Sequence, residues 1–257
     1  MGLLKHRHRK RIKSRPFPAA WLEILEKNVG YYGLLPPDDQ AELRGHIAVF
    51  LDEKRFEGCG GLEMTDEIRV TIAAEACVLL LHRDTNYYPT LRTVLVYPHS
   101  FVSVRRKRLG PGAVVEGEEA RRGESWRRGP VVLSWDDVRR TSGDIHDGRN
   151  VVFHEFAHQL DGESGSNEGA PNLPRRSMYV AWARVLGEEY AQLLDDVGHH
   201  RPTDIDAYGG TSPAEFFAVV TEEFFERPLV LREKHPALYQ QLATFYRQDP
   251  AELRKED

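Results

Sequence analysis

The chain predicts an α+β fold, a mostly helical single domain around a small β-sheet. Three observations carry this. Apolar residues recur at helical spacing through most of the 257 residues. Only two stretches, 90–103 and 129–138, have the β-branched richness and bounding Pro and Gly of strands. Neither a repeat nor a convincing linker divides the chain. With 40% apolar and 29% charged residues, the composition is that of an ordinary globular protein with enough material for a real core.

The elements follow in order. Residues 1–15 hold seven Lys or Arg, two His and no acid, so they read as a basic, disordered tail. Such an arm can meet phosphate backbones or anionic lipid through its field. The basic stretches at 105–108 and 120–129 lack the aromatic interleaving of a single-strand-binding surface, so no strong nucleic-acid or membrane signal is present. The domain proper begins at Pro16. "WLEILEKNVGYYGLL" places Trp21, Leu22, Leu25 and Val29 at helical spacing and is stopped by Gly30 and Gly33. Pro36-Pro37-Asp38 opens a second helix, "DDQAELRGHIAVFLDEKRF", with Leu43, Ile47, Phe50 and Leu51 on one stripe. A third, from about Asp66, is apolar nearly all round and should be buried on most sides.

"TLRTVLVYPHSFVS" and "GPVVLSWDDV" then read as strands, with a glycine-rich loop or poorly paired hairpin between them at 108–125. "PVVLSW" reads as an edge to which an extended peptide can add. Helices fill the second half, at 150–161, about 175–195, 213–226 and 235–247. The loop 162–174, "GESGSNEGAPNLP", is either a lid or a connection. The longest apolar run, "ACVLLL" at 76–81, is too short to span a bilayer, and the basic start has no secretory h-region. Cys59 and Cys77 imply no disulfide framework. The sequence reads as a cytoplasmic protein.

Chemistry concentrates in "NVVFHEFAHQLD", residues 150–161. On a helix, His154 and His158 lie one above the other and can present two imidazoles to one zinc ion, at about 2.0–2.1 Å. Glu155 is turned off the metal but stays close enough to take a proton from an activated water. Phe153, Phe156, Ala157 and Leu160 form the opposite, core-facing side, Asn150 is the N-cap and Gly162 the stop. A third ligand is not local. Asp161 and Ser164 stand where a metzincin needs Gly and His, and no carboxylate follows at about twenty residues. Asp161 fixes a histidine tautomer or caps a turn.

Further on, "DAYGGTSPAEFFAVVTEEFFERP" at 206–228 opens a helix with Ser212, Pro213 and Glu215. Glu215 is there either a capping-box carboxylate or a metal ligand. Glu222, seven residues on, is a rival ligand or a partner to one; which of Glu222 and Glu223 points inward stays open.

These segments, with "EKRFEGCGGLEMTDEIRVTIAAEACVLLL" and "GPVVLSWDDVR", resemble the Mlc titration factor A family of zinc peptidases, from about Pro16 to "FYRQDP". "YGGTSPAE" is also similar to the catalytic region of anthrax lethal factor, a gluzincin. The resemblance implies a zincin-like fold and a zinc metallopeptidase, of aminopeptidase type or acting on small peptides. It implies His154, His158 and Glu215 as Zn2+ ligands, Glu155 as general base and Tyr208 facing the substrate carbonyl. It also implies a second class of function, a regulatory protein that sequesters an Mlc-like transcriptional repressor, with or without peptidase activity.

Overall fold

The computed structural model describes residues 2–99, 101–110, 113–121, 123–125, 129–165 and 167–254, with backbone alone over 101–125. The side chains of the basic stretches at 105–108 and 120–128 thus lie outside the described residues. The architecture is α+β and 62% helical, as the periodicities predict.

The chain opens with α1 (Leu3–Lys13), which corrects the expectation of a disordered arm. Among its described side chains the one deeply buried apolar group is Ile12, so hydrophobic patterning gave little sign of docking. Arg9 does the rest: its guanidinium donates to both oxygens of Glu53 at 2.6 and 2.8 Å, and its charged carbon lies 4.5 Å over the Tyr87 ring. A buried bidentate pair of this kind is stronger than the surface ion pairs around it.

Two helices follow, α2 (Ala19–Asn28) and α3 (Gly30–Leu34). The break falls at Val29, and Gly30 begins the second helix instead of ending the first. A Cβ on Gly30 would lie 2.9 Å from Ile145, so glycine serves close packing there. Next come α4 (Pro37–Glu53), with Leu43, Ile47 and Phe50 wholly buried, and β1 (Arg55–Gly58), a strand where the helix was expected to continue. Thr65 caps α5 (Asp66–Val78), which is buried on nearly every side.

The sheet is completed by β2 (Thr93–Tyr97), β5 (Gly123–Ser125) and β6 (Val131–Ser134), in the order β1-β2-β6-β5. The first three run parallel and β5 pairs antiparallel to β6. A separate hairpin joins β3 (Phe101–Gly110) and β4 (Ala113–Arg121); of the loop or poorly paired hairpin expected at 108–125, the hairpin is realised, and it is paired along most of its length. β6 is therefore interior, against the expectation of an edge. All four of its residues are buried, and an unbroken apolar run is what a parallel strand covered on both faces requires. It also ends early: Ser134 accepts from the Asp137 amide and caps α6 (Trp135–Gly143).

The second half is α7 (Val151–Gly162), α8 (Met178–Gly198), a 3-10 turn (Ala207–Thr211), α9 (Pro213–Glu226), α10 (Pro228–Lys234) and α11 (Pro236–Tyr246). Helix α7 is central, packed against α5, α6, α9 and the β5–β6 end of the sheet. Phe153 meets Phe225 of α9 at 5.1 Å between ring centres, and Phe156 meets Tyr88 at 4.9 Å and Phe50 at 5.7 Å. Burying each such ring is worth roughly 1.5–3 kcal/mol, so the face opposite the histidines fixes how α7 is rotated. No described helix is long and apolar enough to cross a membrane.

Candidate metal centre

Asn150 starts the histidine helix as expected: its Oδ1 accepts from the amides of Val152 and Phe153 at 3.1 and 3.0 Å. Four residues apart on α7, the His154 and His158 rings lie 4.9 Å apart, nearly perpendicular. Both Nε2 atoms face one atom, Oε2 of Glu215, at 3.1 and 3.3 Å. One ligand atom from each of the three residues lies within 4.8 Å of the others. Two imidazole nitrogens and a carboxylate oxygen are a donor set suited to zinc.

The alternatives left open at α9 now separate. Ser212 caps the helix by accepting from the Glu215 amide at 3.2 Å, while the Glu215 carboxylate turns to the histidines. Glu222 does not reach the same cluster. One of its oxygens accepts from Nδ1 of His154 at 2.7 Å and the other from the Asn150 amide at 2.7 Å. Glu223 points elsewhere, to Arg227 at 3.3 Å. Asp161 touches neither histidine; its two oxygens accept from the amides of Gly169 and Ala170, both at 2.9 Å, so it caps the loop.

That loop is tied down. The Trp182 indole donates to the Gly169 carbonyl at 2.9 Å, and the Leu173 amide donates to the Tyr179 hydroxyl at 3.0 Å. Gly169, at φ +72°, presses on the start of α9 so closely that a Cβ would lie 2.4 Å from the Pro213 carbonyl oxygen. Over its described residues the segment behaves as a connection that backs the Glu215 helix.

Electrostatics distinguish the carboxylates. Burial pushes Glu155 up to about 7, against the pull of His154 and His158, and its Oε2 has no protein partner. Burial would also raise Glu215, but the hydrogen bonds from His154 and His158 hold it well below the usual carboxylate range. Burial alone would lower His154; Glu222 and Glu215 outweigh it and hold the imidazole well above its usual value. Tyr208 is about half exposed, at 46%, with its ring 6.0 Å from that of His154. Its amide donates to Asp206, which also takes Arg149 at 2.9 Å, tying the 3-10 turn to the segment just before α7.

Sequence reasoning missed two residues here, Glu75 and Glu226, whose buried carboxylates both accept from the Asn150 side-chain amide at 3.1 and 3.2 Å. A signal for each existed: a lone acid inside "AAEACV", and a third acid on α9 at the spacing that returns to the Glu215 face. Among the described residues one other group reaches ligand spacing, the more exposed Asp39, Glu42 and His82.

Comparison with known proteins places the chain in a family. The family described as glucose-regulated metallo-peptidase M90 matches residues 4–247. An uncharacterized protein, slr2042, from Synechocystis is 44% identical over 243 residues, 94% of this chain and 88% of that one. Mlc titration factor A from Klebsiella pneumoniae is 35% identical, covering 87% of this chain and 84% of its own. The protein of the same name from Yersinia pestis is 32% identical, covering 90% and 85%. Matched from within α1 to the end of α11, and at these identities over most of its length, the chain belongs to the glucose-regulated metallo-peptidase M90 family.

Proposed function

We propose that the chain is a zinc-dependent peptidase of the cytoplasm, with His154, His158 and Glu215 holding the metal. The observation that carries this is the meeting of both Nε2 atoms on one Glu215 oxygen, with the buried Glu155 carboxyl alongside. When bound, zinc supplies Lewis acidity that polarises a carbonyl and makes a water acidic near neutral pH. Glu155 takes the water's proton at its unpartnered oxygen and returns one to the leaving amine. Tyr208 donates its phenolic proton in a hydrogen bond to the carbonyl oxygen as charge develops there.

The finer reading is aminopeptidase-type cleavage of small peptides, and it rests on the family resemblance. The outermost strand β5, antiparallel to β6 and packed beside α7, offers a backbone edge for an extended substrate. The peptidase domain on this reading includes the docked helix α1. Glu155→Gln is the test: zinc content should stay at the wild-type level while hydrolysis of a panel of free and N-blocked peptides disappears. Hydrolysis at the wild-type rate would remove Glu155 from the mechanism.

A second reading is favoured by the name of the Klebsiella and Yersinia relatives, Mlc titration factor A. On it, the chain binds an Mlc-like transcriptional repressor stoichiometrically. Glu155→Gln separates the two in cells: loss of the regulatory effect ties it to hydrolysis, and its persistence points to binding alone.

A further inference from the structure

We infer that Asn150, Glu75 and Glu226 form a buried brace that positions His154 for the metal through Glu222, so that Asn150 is a positioning residue of the centre as well as a helix cap. This rests on the metal reading above.

Three carboxylates of α9 line up toward α7. Glu222 and Glu226 follow Glu215 by seven and eleven residues, spacings that return to nearly the same helix face. Each meets a different part of the histidine helix: Glu215 the two Nε2 atoms, Glu222 the Nδ1 of His154, Glu226 the side chain of Asn150. From the other side α5 brings Glu75 to the same amide at 3.1 Å.

Asn150 is the junction, and its polar groups are fully engaged. Oδ1 takes two amides of the first turn, Nδ2 gives its protons to Glu75 and Glu226, the backbone N–H goes to Glu222, and the backbone carbonyl accepts from the His154 amide at 2.9 Å. Glu222 thereby holds the start of α7 with one oxygen and Nδ1 of His154 with the other. With Nδ1 of His154 engaged by Glu222, Nε2 is the nitrogen left for the metal. Moving Asn150 moves Glu222, and with it the aim of His154.

A cap alone does not require two buried acids. Glu75 and Glu226 are almost wholly buried, and burial pushes their carboxyls up to about 8 and about 10. Burial thus favours the neutral form of both, and Asn150 engages one oxygen of each, Oε2 of Glu75 and Oε1 of Glu226. The brace thus supplies two hydrogen-bond acceptors without placing two more negative charges behind the metal.

The test separates capping from bracing. Serine caps a helix about as well as asparagine but lacks the amide that reaches both acids. Asn150→Ser should fold, yet bind zinc at least roughly tenfold more weakly in competition with a chelator, as loss of a partner behind a ligand does. Glu75→Gln and Glu226→Gln, neutral and of the same shape, should keep zinc affinity within about threefold of wild type. In the metal-free protein, the Nδ1 proton of His154 should exchange with solvent at least roughly tenfold faster in Asn150→Ser than in wild type or Glu75→Gln. Wild-type zinc affinity and proton exchange in Asn150→Ser would reduce Asn150 to a cap and overturn the brace. If the wild type itself takes no zinc, the metal reading fails, and the proton-exchange comparison alone decides the brace.

Discussion

Among the described residues, two clusters bring histidine and carboxylate to metal-ligand spacing, and they are built differently. In Asp39, Glu42 and His82, both ring nitrogens of one histidine face carboxylates, Nε2 toward Asp39 and Nδ1 toward Glu42, each at 3.3 Å. Glu42 also takes His46 at 3.0 Å. These groups satisfy one another across a partly solvated surface. In the α7–α9 cluster, two histidines turn the same nitrogen to one oxygen, and a separate carboxylate, Glu222, occupies the far side of the His154 ring. Spacing alone does not make a centre. What distinguishes the second cluster is that both Nε2 atoms converge on one oxygen while Glu222, outside the cluster, holds the other nitrogen of His154.

The largest expected effect breaks the second cluster. His154→Ala and Glu215→Ala should each cut zinc affinity by roughly a hundredfold or more, as seen by elemental analysis after gel filtration. Next comes chemistry without binding: Tyr208→Phe should lower kcat by roughly tenfold to a hundredfold with zinc content unchanged, because it removes a donor to the carbonyl oxygen. Gly169→Ala should destabilise the chain by about 1–3 kcal/mol, read from denaturant midpoints, through its positive φ and the clash with Pro213. The smallest effect belongs to the surface cluster. Replacing Asp39 and Glu42 by Asn and Gln together should leave zinc content and hydrolysis where they were.

Titration adds a second contrast, between Glu42 in the surface cluster and the buried pair Glu75 and Glu226 behind the histidine helix, which respond to pH with opposite signs. Glu42 is held below its ordinary value, chiefly by the hydrogen bond from His46, so its stabilisation is present above about 4.5 and is lost on acidification. Glu75 and Glu226 are raised by burial, Glu226 further by Glu75 and against the pull of Arg254. Each contributes stability that is full below the unfolded value of 4.5 and is lost as pH rises toward about 8 and about 10. Metal-free protein should therefore lose stability from about pH 5 upward, and the Glu75→Gln, Glu226→Gln pair should flatten that slope. A slope unchanged in the double variant would place the titrating groups elsewhere.

How far the sequence reached depends on the range of the interaction. The histidine helix was legible because its evidence is local: four-residue spacing, an Asn cap, an apolar opposite face. Glu215 was half legible, since Ser212-Pro213 announces a helix start but not where the glutamate turns. The resolution came from two helices packing, which put Glu215 over both imidazoles. Glu75 and Glu226 were missed because their meaning exists only where α5, α7 and α9 converge on Asn150. The misread edge strand is a different lesson: the unbroken run of β6 already carried the mark of a strand covered on both faces. The docked α1 escaped notice because it is held largely by polar contacts, the Arg9 fork on Glu53 and the pairs Lys5–Glu53 and His8–Asp52, which leave no periodic apolar signal.

The central claim is that α7 and α9 together make a zinc centre. Its most direct test is the metal content of the full chain purified without chelator, beside Glu215→Ala and the Asp39, Glu42 double variant. About one zinc per chain in the wild type and the double variant, and nearly none in Glu215→Ala, is the predicted result. No zinc in the wild type even after it is added back, or full zinc in Glu215→Ala, would contradict the account.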